Sequence, residues 1–153
     1  MSKEYIASFS SSFLDVMPQL GITEVKLNDE IECSNIIESP GVVVIIGMIG
    51  DLHGNLIFAM HEDCAKQIAS IMMGGMEVLE FDEIVQSAIS ELSNMLAANA
   101  CTNLSAISIT ADISTPILMH GDFTAAASFN NVTRLEMQVN DLPFYIYVSL
   151  EQK

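Results

Sequence analysis

Hydrophobic residues recur every three or four positions over residues 81–104, the spacing that places side chains along one side of an α-helix. This segment contains neither proline nor glycine, and Asp82 and Glu83 lie where acidic side chains favour the first turn of a helix. The apolar stripe is interrupted only by an asparagine, and its members are Val85, Ala88, Ile89, Leu92, Met95, Leu96 and Asn99. The pattern predicts one long helix whose apolar stripe faces the core.

The opposite side of this predicted helix carries an unusual set of residues. It carries Ser87, Glu91, Asn94 and Ala98, which follow one another at spacings of four, three and four residues. Side chains at these spacings are neighbours on a helix surface. A face that contacts only solvent usually carries several Lys and Glu side chains, whereas this one has a single carboxylate and a single carboxamide among small residues. A Glu-x-x-Asn pair alone is common on solvated helices, but the small neighbours favour a surface that a partner can approach closely.

Two further helices are predicted on the same grounds. In residues 3–20, apolar side chains step by three or four positions, and Pro18 and Gly21 mark the end of the helix. The three serines at 10–12 are expected on its solvent side. In residues 61–73, acidic residues occupy the first turn and a Gly-Gly pair follows the last.

Two β-rich runs, residues 41–50 and 54–60, flank a short polar segment at 51–53, which predicts a hairpin with Gly50 and Gly54 at its turn. The first run is apolar throughout. A continuous apolar run indicates a strand that is covered on both faces or lies in the middle of a sheet.

The remaining strand predictions rest on shorter patterns. Alternation in residues 22–27 predicts a strand, which a turn at Asn28-Asp29 should end. After the long helix, four or so short strands are expected within the segments 107–110, 115–119, 123–129, 132–139 and 144–150. Turns are expected between them at 121–122, 130–131 and 140–143.

This order of elements is one helix, then strands, two helices and more strands. It predicts an α+β fold, a two-layer sandwich in which three helices cover one face of an antiparallel sheet. The chain shows no linker, low-complexity tract or strong repeat, so we expect a single domain over residues 1–153.

Composition narrows the possible partners. Hydrophobic residues make up 50% of the chain and charged residues 16%, which excludes a disordered protein. Twenty acidic residues against five basic ones give a net charge of −15, so neither nucleic acid nor an anionic membrane surface is a suitable partner. The longest apolar run, residues 42–50, is too short to span a bilayer, and the N-terminus lacks the pattern of a signal peptide.

The chain offers no sequence pattern for a metal or a nucleophile of its own. The three cysteines show no C-x-x-C spacing and are expected as reduced thiols of a cytoplasmic protein: Cys33, Cys64 and Cys101. The histidines share no metal-ligand spacing and are expected at turns or on the surface: His53, His61 and His120. The glycines at 47, 50 and 54 are interpreted as turn glycines and not as a phosphate-binding loop. In such a loop, a Lys-Ser/Thr pair and the start of a helix would follow the glycines, and neither is present here.

The segment around the long helix resembles the CheC/CheX/FliY family of chemotaxis phosphatases. That family carries an Asp/Ser-x-x-x-Glu-x-x-Asn signature with a proline further along the chain. Ser87, Glu91 and Asn94 match the signature, and Pro116 follows Asn94 after 21 intervening residues. The resemblance extends over residues 41–150. It departs from the family at Ser90 and Ser93, where glycine is common, and in the gap before Pro116, which is one residue shorter than usual. Because the first helix lacks a second copy of the signature, the chain is most similar to CheX.

The resemblance implies a phosphatase that acts on the aspartyl phosphate of a CheY-type receiver domain. In that role, Glu91 would pair with a lysine of the receiver, and Asn94 would orient the attacking water. Ser87, Ala98 and Pro116 would border the contact. The receiver would supply the phosphorylated aspartate and Mg²⁺, so no cofactor is expected in this chain.

The resemblance also implies a homodimer joined through sheet edges, with the strand at 132–139 or a neighbour as the edge. Two other interpretations stay open at this point. The same helix face could bind a receiver without hydrolysing its phosphate, as a signalling interaction module. The chain could also be a structural part of a flagellar switch, although it has no extra domain for that role.

Overall fold

Three helices lie where the sequence predicted them. The computed structural model describes residues 3–152, with no description of the Lys3 side chain, and residues 1, 2 and 153 of the predicted single domain lie outside it. Within it, the helices are α1 (Lys3–Gln19), α2 (Glu62–Met72) and α3 (Glu83–Ala106). α1 ends one residue after Pro18, and Gly21 follows with a φ of +95°, a conformation that glycine adopts without strain.

Nine strands complete the described part of the chain: β1 (Val25–Cys33), β2 (Ile36–Glu38), β3 (Val42–Gly50), β4 (Leu52–Met60), β5 (Ala111–Ile113), β6 (Ile117–His120), β7 (Thr124–Ala126), β8 (Val132–Val139) and β9 (Leu142–Gln152). Seven form an antiparallel sheet in the order β1-β8-β9-β4-β3-β5, and β6 pairs with β3 beside β5. The α+β architecture with an antiparallel sheet is therefore confirmed. β2 and β7 pair separately as a two-stranded ribbon.

The apolar strand β3 is covered on both faces, as its sequence predicted. Val42, Val44 and Ile46 are fully buried in the large core that the sheet shares with the three helices. Val43 points the other way, into a smaller core that includes Ile37 of the β2–β7 ribbon. Burying one such side chain contributes about 1.5–3 kcal/mol, so both faces of this strand stabilise the fold. The ribbon is thus a partial third layer that the two-layer prediction did not include.

The hairpin between β3 and β4 is confirmed, with a tighter turn than the sequence predicted. Leu52 and His53 already belong to β4, and Met48 pairs with Gly54. Gly50 at the end of β3 and Gly54 inside β4 have φ values of +118° and +140°, which explains why both positions are glycine.

One predicted turn and one predicted strand are wrong, and one further turn is shorter than predicted. β1 continues through Asn28 and Asp29, and its pairing with β8 shifts register there, so the polar pair forms a β-bulge instead of a turn. The turn predicted at 140–143 is confirmed at residues 140–141, whereas Leu142 and Pro143 already belong to β9. Residues 107–110 are not a strand, because α3 continues to Ala106 and the chain then leaves the helix through a turn.

The serines of α1 do not all face solvent. Ser11 is exposed, but Ser12 is 1% exposed and its hydroxyl donates a 2.6 Å hydrogen bond to the Leu96 carbonyl oxygen of α3. The prediction of a solvent-exposed position is wrong for Ser12, because α1 packs against α3 and the hydrogen bond satisfies the buried hydroxyl.

The sheet edge was predicted at residues 132–139 or at a neighbouring strand, and only the first of these two alternatives is wrong. The strand at 132–139, β8, pairs with β1 on one side and with β9 on the other. In the described part of the chain, one edge of the large sheet is its neighbour β1, and the other is formed by β5 and β6.

Candidate functional site

The long helix α3 is fixed at its start and along one side. The Asp82 carboxylate accepts hydrogen bonds from the backbone N–H groups of Ile84 and Val85, each at 3.1 Å, so it caps the helix. A cap of this kind contributes about 1 kcal/mol. The buried side of α3, which includes Ile89 and Leu92, packs into the large core. A helix held in this way presents its other side in a fixed orientation.

That other side carries the four residues that the helical spacing selected. Ser87, Glu91 and Ala98 are exposed, and Asn94 is half-buried. In the part of the chain that the structure describes, the side chains of Glu91 and Asn94 have no hydrogen-bond or ion-pair partner. Both groups are therefore available to a molecule that approaches this face.

An open groove of about 740 Å³ runs beside this helix face. One wall belongs to α3 and consists of Glu83, Gln86, Ser87, Ser90, Glu91 and Asn94. The other wall comes from the end of β5, the start of β6 and the connection between them, namely Ile113, Ser114, Thr115, Pro116 and Leu118. The groove thus brings together Ser87, Glu91, Asn94 and Pro116, whereas Ala98 lies beyond it on the same helix face.

The groove carries negative charge. Its described lining contains two carboxylates, those of Glu83 and Glu91, and no basic side chain. A partner that inserts a lysine or arginine would gain attraction here, and the gain would weaken as salt screens the exposed charges.

The two serines that depart from the family pattern differ in position. Ser93 is 1% exposed, and its hydroxyl bonds back to the Ile89 carbonyl oxygen at 2.8 Å, so it cannot contact a partner. Ser90 is half-buried and lines the groove.

The sequence interpretation missed part of the lining. Gln86, Ser90 and Asn94 are spaced by four residues, so the same helical rule could have identified Gln86 and Ser90. Ser114 and Thr115 carry no comparable local signal, because their place in the groove depends on strands that pair with β3.

A second depression lies on the opposite face of the sheet, and its basic group is already neutralised. Arg134 pairs with Glu136 at 3.0 Å between Nη2 and Oε2, and its guanidinium lies 5.8 Å from the centre of the Tyr145 ring. Burial raises the pKa of the neighbouring Tyr147, against the opposing effect of Arg134. The Arg134 Nε has no hydrogen-bond partner among the described residues, but the charge of this side chain is already paired with Glu136, so the α3 groove is the better candidate site.

The cysteines do not add a nucleophile. Burial raises the pKa of Cys64 to about 12. Burial also raises the pKa values of Cys33 and Cys101. Protonated thiols are poor nucleophiles, which agrees with the interpretation of these residues as structural.

The three histidines lie in different parts of the chain. His61 precedes α2 and His120 ends β6, and both are exposed; His53 is half-buried in β4 against Phe129, so its expected turn position is wrong. Within residues 3–152, no group of three His, Cys, Asp or Glu side chains could hold a metal ion. No helix in the same range is both long and apolar enough to cross a membrane.

Comparison with known proteins identifies relatives of this chain. The family described as chemotaxis phosphatase CheX matches residues 42–139, a range that contains both walls of the groove. The CheY-P phosphatase CheX of Thermotoga maritima is 31% identical over 146 residues, which cover 95% of this chain and 94% of that protein.

Solved structures share the fold along almost the whole chain. A CheC-like superfamily protein from Shewanella sp. PV-4 has a TM-score of 0.88 and 26% identity, and the match covers 99% of each chain. The CheX structure from Borrelia burgdorferi, solved as a complex with CheY, BeF₃ and Mg²⁺, has a TM-score of 0.78 and 21% identity. That match covers 99% of this chain and 100% of the Borrelia chain.

Proposed function

The chain belongs to the family of the chemotaxis phosphatase CheX, and on this premise we propose that it removes the phosphoryl group from the phosphorylated aspartate of a CheY-type receiver domain. The Thermotoga relative is a CheY-P phosphatase, and the Borrelia relative forms a complex with CheY. One observation carries the assignment of the site: Glu91 and Asn94 line the same groove, and both side chains are available for contacts with another molecule.

The reaction needs little chemistry from this chain. An aspartyl phosphate is an acyl phosphate and already a good electrophile. Water attacks the phosphorus, and the bond between phosphorus and the carboxylate oxygen breaks. Inorganic phosphate leaves, and the aspartate of the receiver is restored. Phosphoryl transfer of this kind depends mainly on alignment and on stabilisation of charge.

We assign the alignment of the water to Asn94. A carboxamide is too weak a base to deprotonate water at neutral pH, but its oxygen can accept up to two hydrogen bonds and its NH₂ group can donate two. Asn94 is half-buried on a capped helix, so few rotamers compete with the productive one. Correct placement of a water can lower a barrier by several kcal/mol, on the order of the proximity effects measured in model reactions.

We assign docking to Glu91. It is exposed, three residues before Asn94, so a bond from Glu91 to a lysine of the receiver would fix the position of the carboxamide relative to the phosphate. Ser87 and Pro116 would border the contact on the two walls of the groove, and Ala98 would extend it along α3. The receiver would contribute Mg²⁺ and the phosphorylated aspartate, with no cofactor from this chain.

The net charge of −15 opposes binding to an acidic receiver pocket. Charges further away than the Debye length, about 8 Å at physiological ionic strength, are largely screened. The local groove, with Glu91 facing the expected lysine, should therefore dominate the interaction.

We also propose a cytoplasmic location, where receiver domains and reduced thiols are found, and a homodimer joined through a sheet edge. β1 is the candidate edge, because β8 is paired on both sides. An unpaired strand edge can add a second strand through backbone hydrogen bonds.

The test of the proposed function is the lifetime of the phosphate on a purified CheY-type receiver, measured with and without this protein. A shorter lifetime supports a phosphatase. Capture of the phosphorylated receiver with no change in that lifetime would favour the alternative, a non-catalytic interaction module.

A further inference from the structure

The second wall of the groove is an arch in the chain. β5 and β6 both pair with β3, through Met48↔Ile113 and Ile45↔Ile117. Residues 114–116, which we call the 114–116 arch, connect the two short strands and pass the stretch of β3 that neither of them pairs with. All three arch residues line the groove opposite α3.

One residue attaches this arch to the sheet. The backbone N–H of Ser114 donates to the Gly47 carbonyl oxygen at 2.9 Å, and the Ser114 hydroxyl oxygen accepts from the Gly47 N–H at 2.8 Å. The two hydrogen bonds close a ring between the arch and β3. The next two residues of the chain, Thr115 and Pro116, are thereby held at the groove.

The same contact explains a glycine that the sequence interpretation assigned to a turn. Gly47 lies inside β3, and its φ is not in the left-handed region, so its backbone conformation is open to any residue. A side-chain Cβ at this position would lie 3.2 Å from the Ser114 Oγ, which is tighter than ordinary van der Waals contact. The space that glycine leaves at position 47 is therefore occupied by the hydroxyl of Ser114.

We propose that Ser114 is a positioning residue for receiver binding, which acts through Gly47 by holding the 114–116 arch opposite Glu91 and Asn94. This inference rests on the proposed function. The arch does not carry the carboxamide that orients water, so its displacement should weaken the binding of substrate and transition state equally. Such a change raises KM and leaves kcat unchanged.

The test uses initial rates of phosphate release at increasing concentrations of phosphorylated receiver. Ser114→Ala should raise KM about fivefold, the factor that corresponds to one lost hydrogen bond of typical strength, with kcat within about twofold of the wild-type value. Ser114→Thr keeps the hydroxyl and should restore KM. Gly47→Ala crowds the hydroxyl and should raise KM as well. In the double variant Gly47→Ala/Ser114→Ala, KM should rise by less than the product of the two single increases, because both substitutions break the same contact.

Hydrogen exchange of the Gly47 amide reports the contact directly, and it should accelerate in Ser114→Ala. Ser105→Ala, at an exposed serine near the end of α3, is the matched control and should change neither KM nor exchange. Faster exchange of the Gly47 amide with an unchanged KM would overturn the inference, and so would a fall in kcat alone. If Ser114→Ala does not fold, an unchanged KM in Gly47→Ala overturns it. If the wild-type protein does not shorten the lifetime of the receiver phosphate, that result would instead overturn the proposed function.

Discussion

Glu91 and Asn94 lie three residues apart on α3 and line the same groove, but Glu91 is exposed whereas Asn94 is half-buried. The difference in burial separates two roles. An exposed carboxylate can meet a partner early and steer it, whereas a half-buried carboxamide is restricted to few orientations. The predictions for these two residues differ accordingly.

Glu91→Gln should weaken docking and leave the chemical step almost unchanged. Loss of one exposed charge at the rim of an interface should raise KM about two- to fivefold at low salt, and this difference should shrink as salt increases. Steady-state rates at several salt concentrations measure it. Glu4→Gln, at an exposed position on α1, is the matched control and should behave as wild type. An effect on kcat at saturating receiver, without an effect on KM, would argue against the docking role.

Ser12→Ala should lower the free energy of unfolding by about 1 kcal/mol, because the mutation removes the buried hydrogen bond to the Leu96 carbonyl oxygen. Urea unfolding followed by circular dichroism measures the change. The neighbouring Ser11→Ala removes an exposed hydroxyl and should have no measurable effect. Equal stability of the two variants would show that the bond between α1 and α3 does not stabilise the fold.

Cys64 should resist alkylation in the folded protein, because burial raises its pKa to about 12 and closes access to its thiol. Iodoacetamide at about pH 8 should modify the half-buried Cys101 before Cys64, and should modify both after unfolding. Mass spectrometry of digested samples gives the order. Modification of Cys64 in the folded protein at the rate of an unfolded thiol would contradict the burial.

The raised pKa of Cys64 also sets a sign for the pH dependence of stability. The folded state favours the neutral thiol, so this contribution is complete below the ordinary thiol pKa of 9.0 and is lost as pH rises towards about 12. The urea midpoint should fall in that alkaline window. Cys64→Ala should remove the part of the decline that arises from this thiol.

The dimer proposed through β1 should strengthen with salt. The exposed acidic residues of this strand, Asp29, Glu30 and Glu32, would lie close to those of a second copy and repel them. Light scattering after gel filtration should show a dimer fraction that rises with ionic strength and increases in Glu30→Gln. Glu62→Gln, on α2, should leave that fraction unchanged. A monomer at every concentration and salt level would rule out the β1 dimer.

The part of the site on α3 could be predicted because helical periodicity is local information. The spacing of Glu91 and Asn94 was enough to place both on one helix face, and the apolar stripe was enough to orient that face outward. All the residues that predicted this helix lie within a few helical turns of one another, and the structure confirms the helix.

The remainder depended on contacts between distant parts of the chain. Ser12 is buried where α1 packs against α3, and its hydroxyl bonds to the carbonyl oxygen of Leu96, 84 residues away. β8 lies inside the sheet because β1 pairs with it, and the 114–116 arch reaches the groove because Ser114 bonds to Gly47, 67 residues earlier. No pattern within a short window of sequence specifies such pairings.

The most direct test of the account is the lifetime of receiver phosphate in the presence of Asn94→Ala. Loss of the carboxamide should reduce the acceleration of phosphate release on the order of 100-fold, as for other preorganised hydrogen-bonding groups. The variant should keep the wild-type circular dichroism spectrum and should still bind the receiver. Asn131→Ala, at an exposed position directly before β8, should remain fully active. A wild-type rate of phosphate release with Asn94→Ala would contradict the assignment of the water to Asn94.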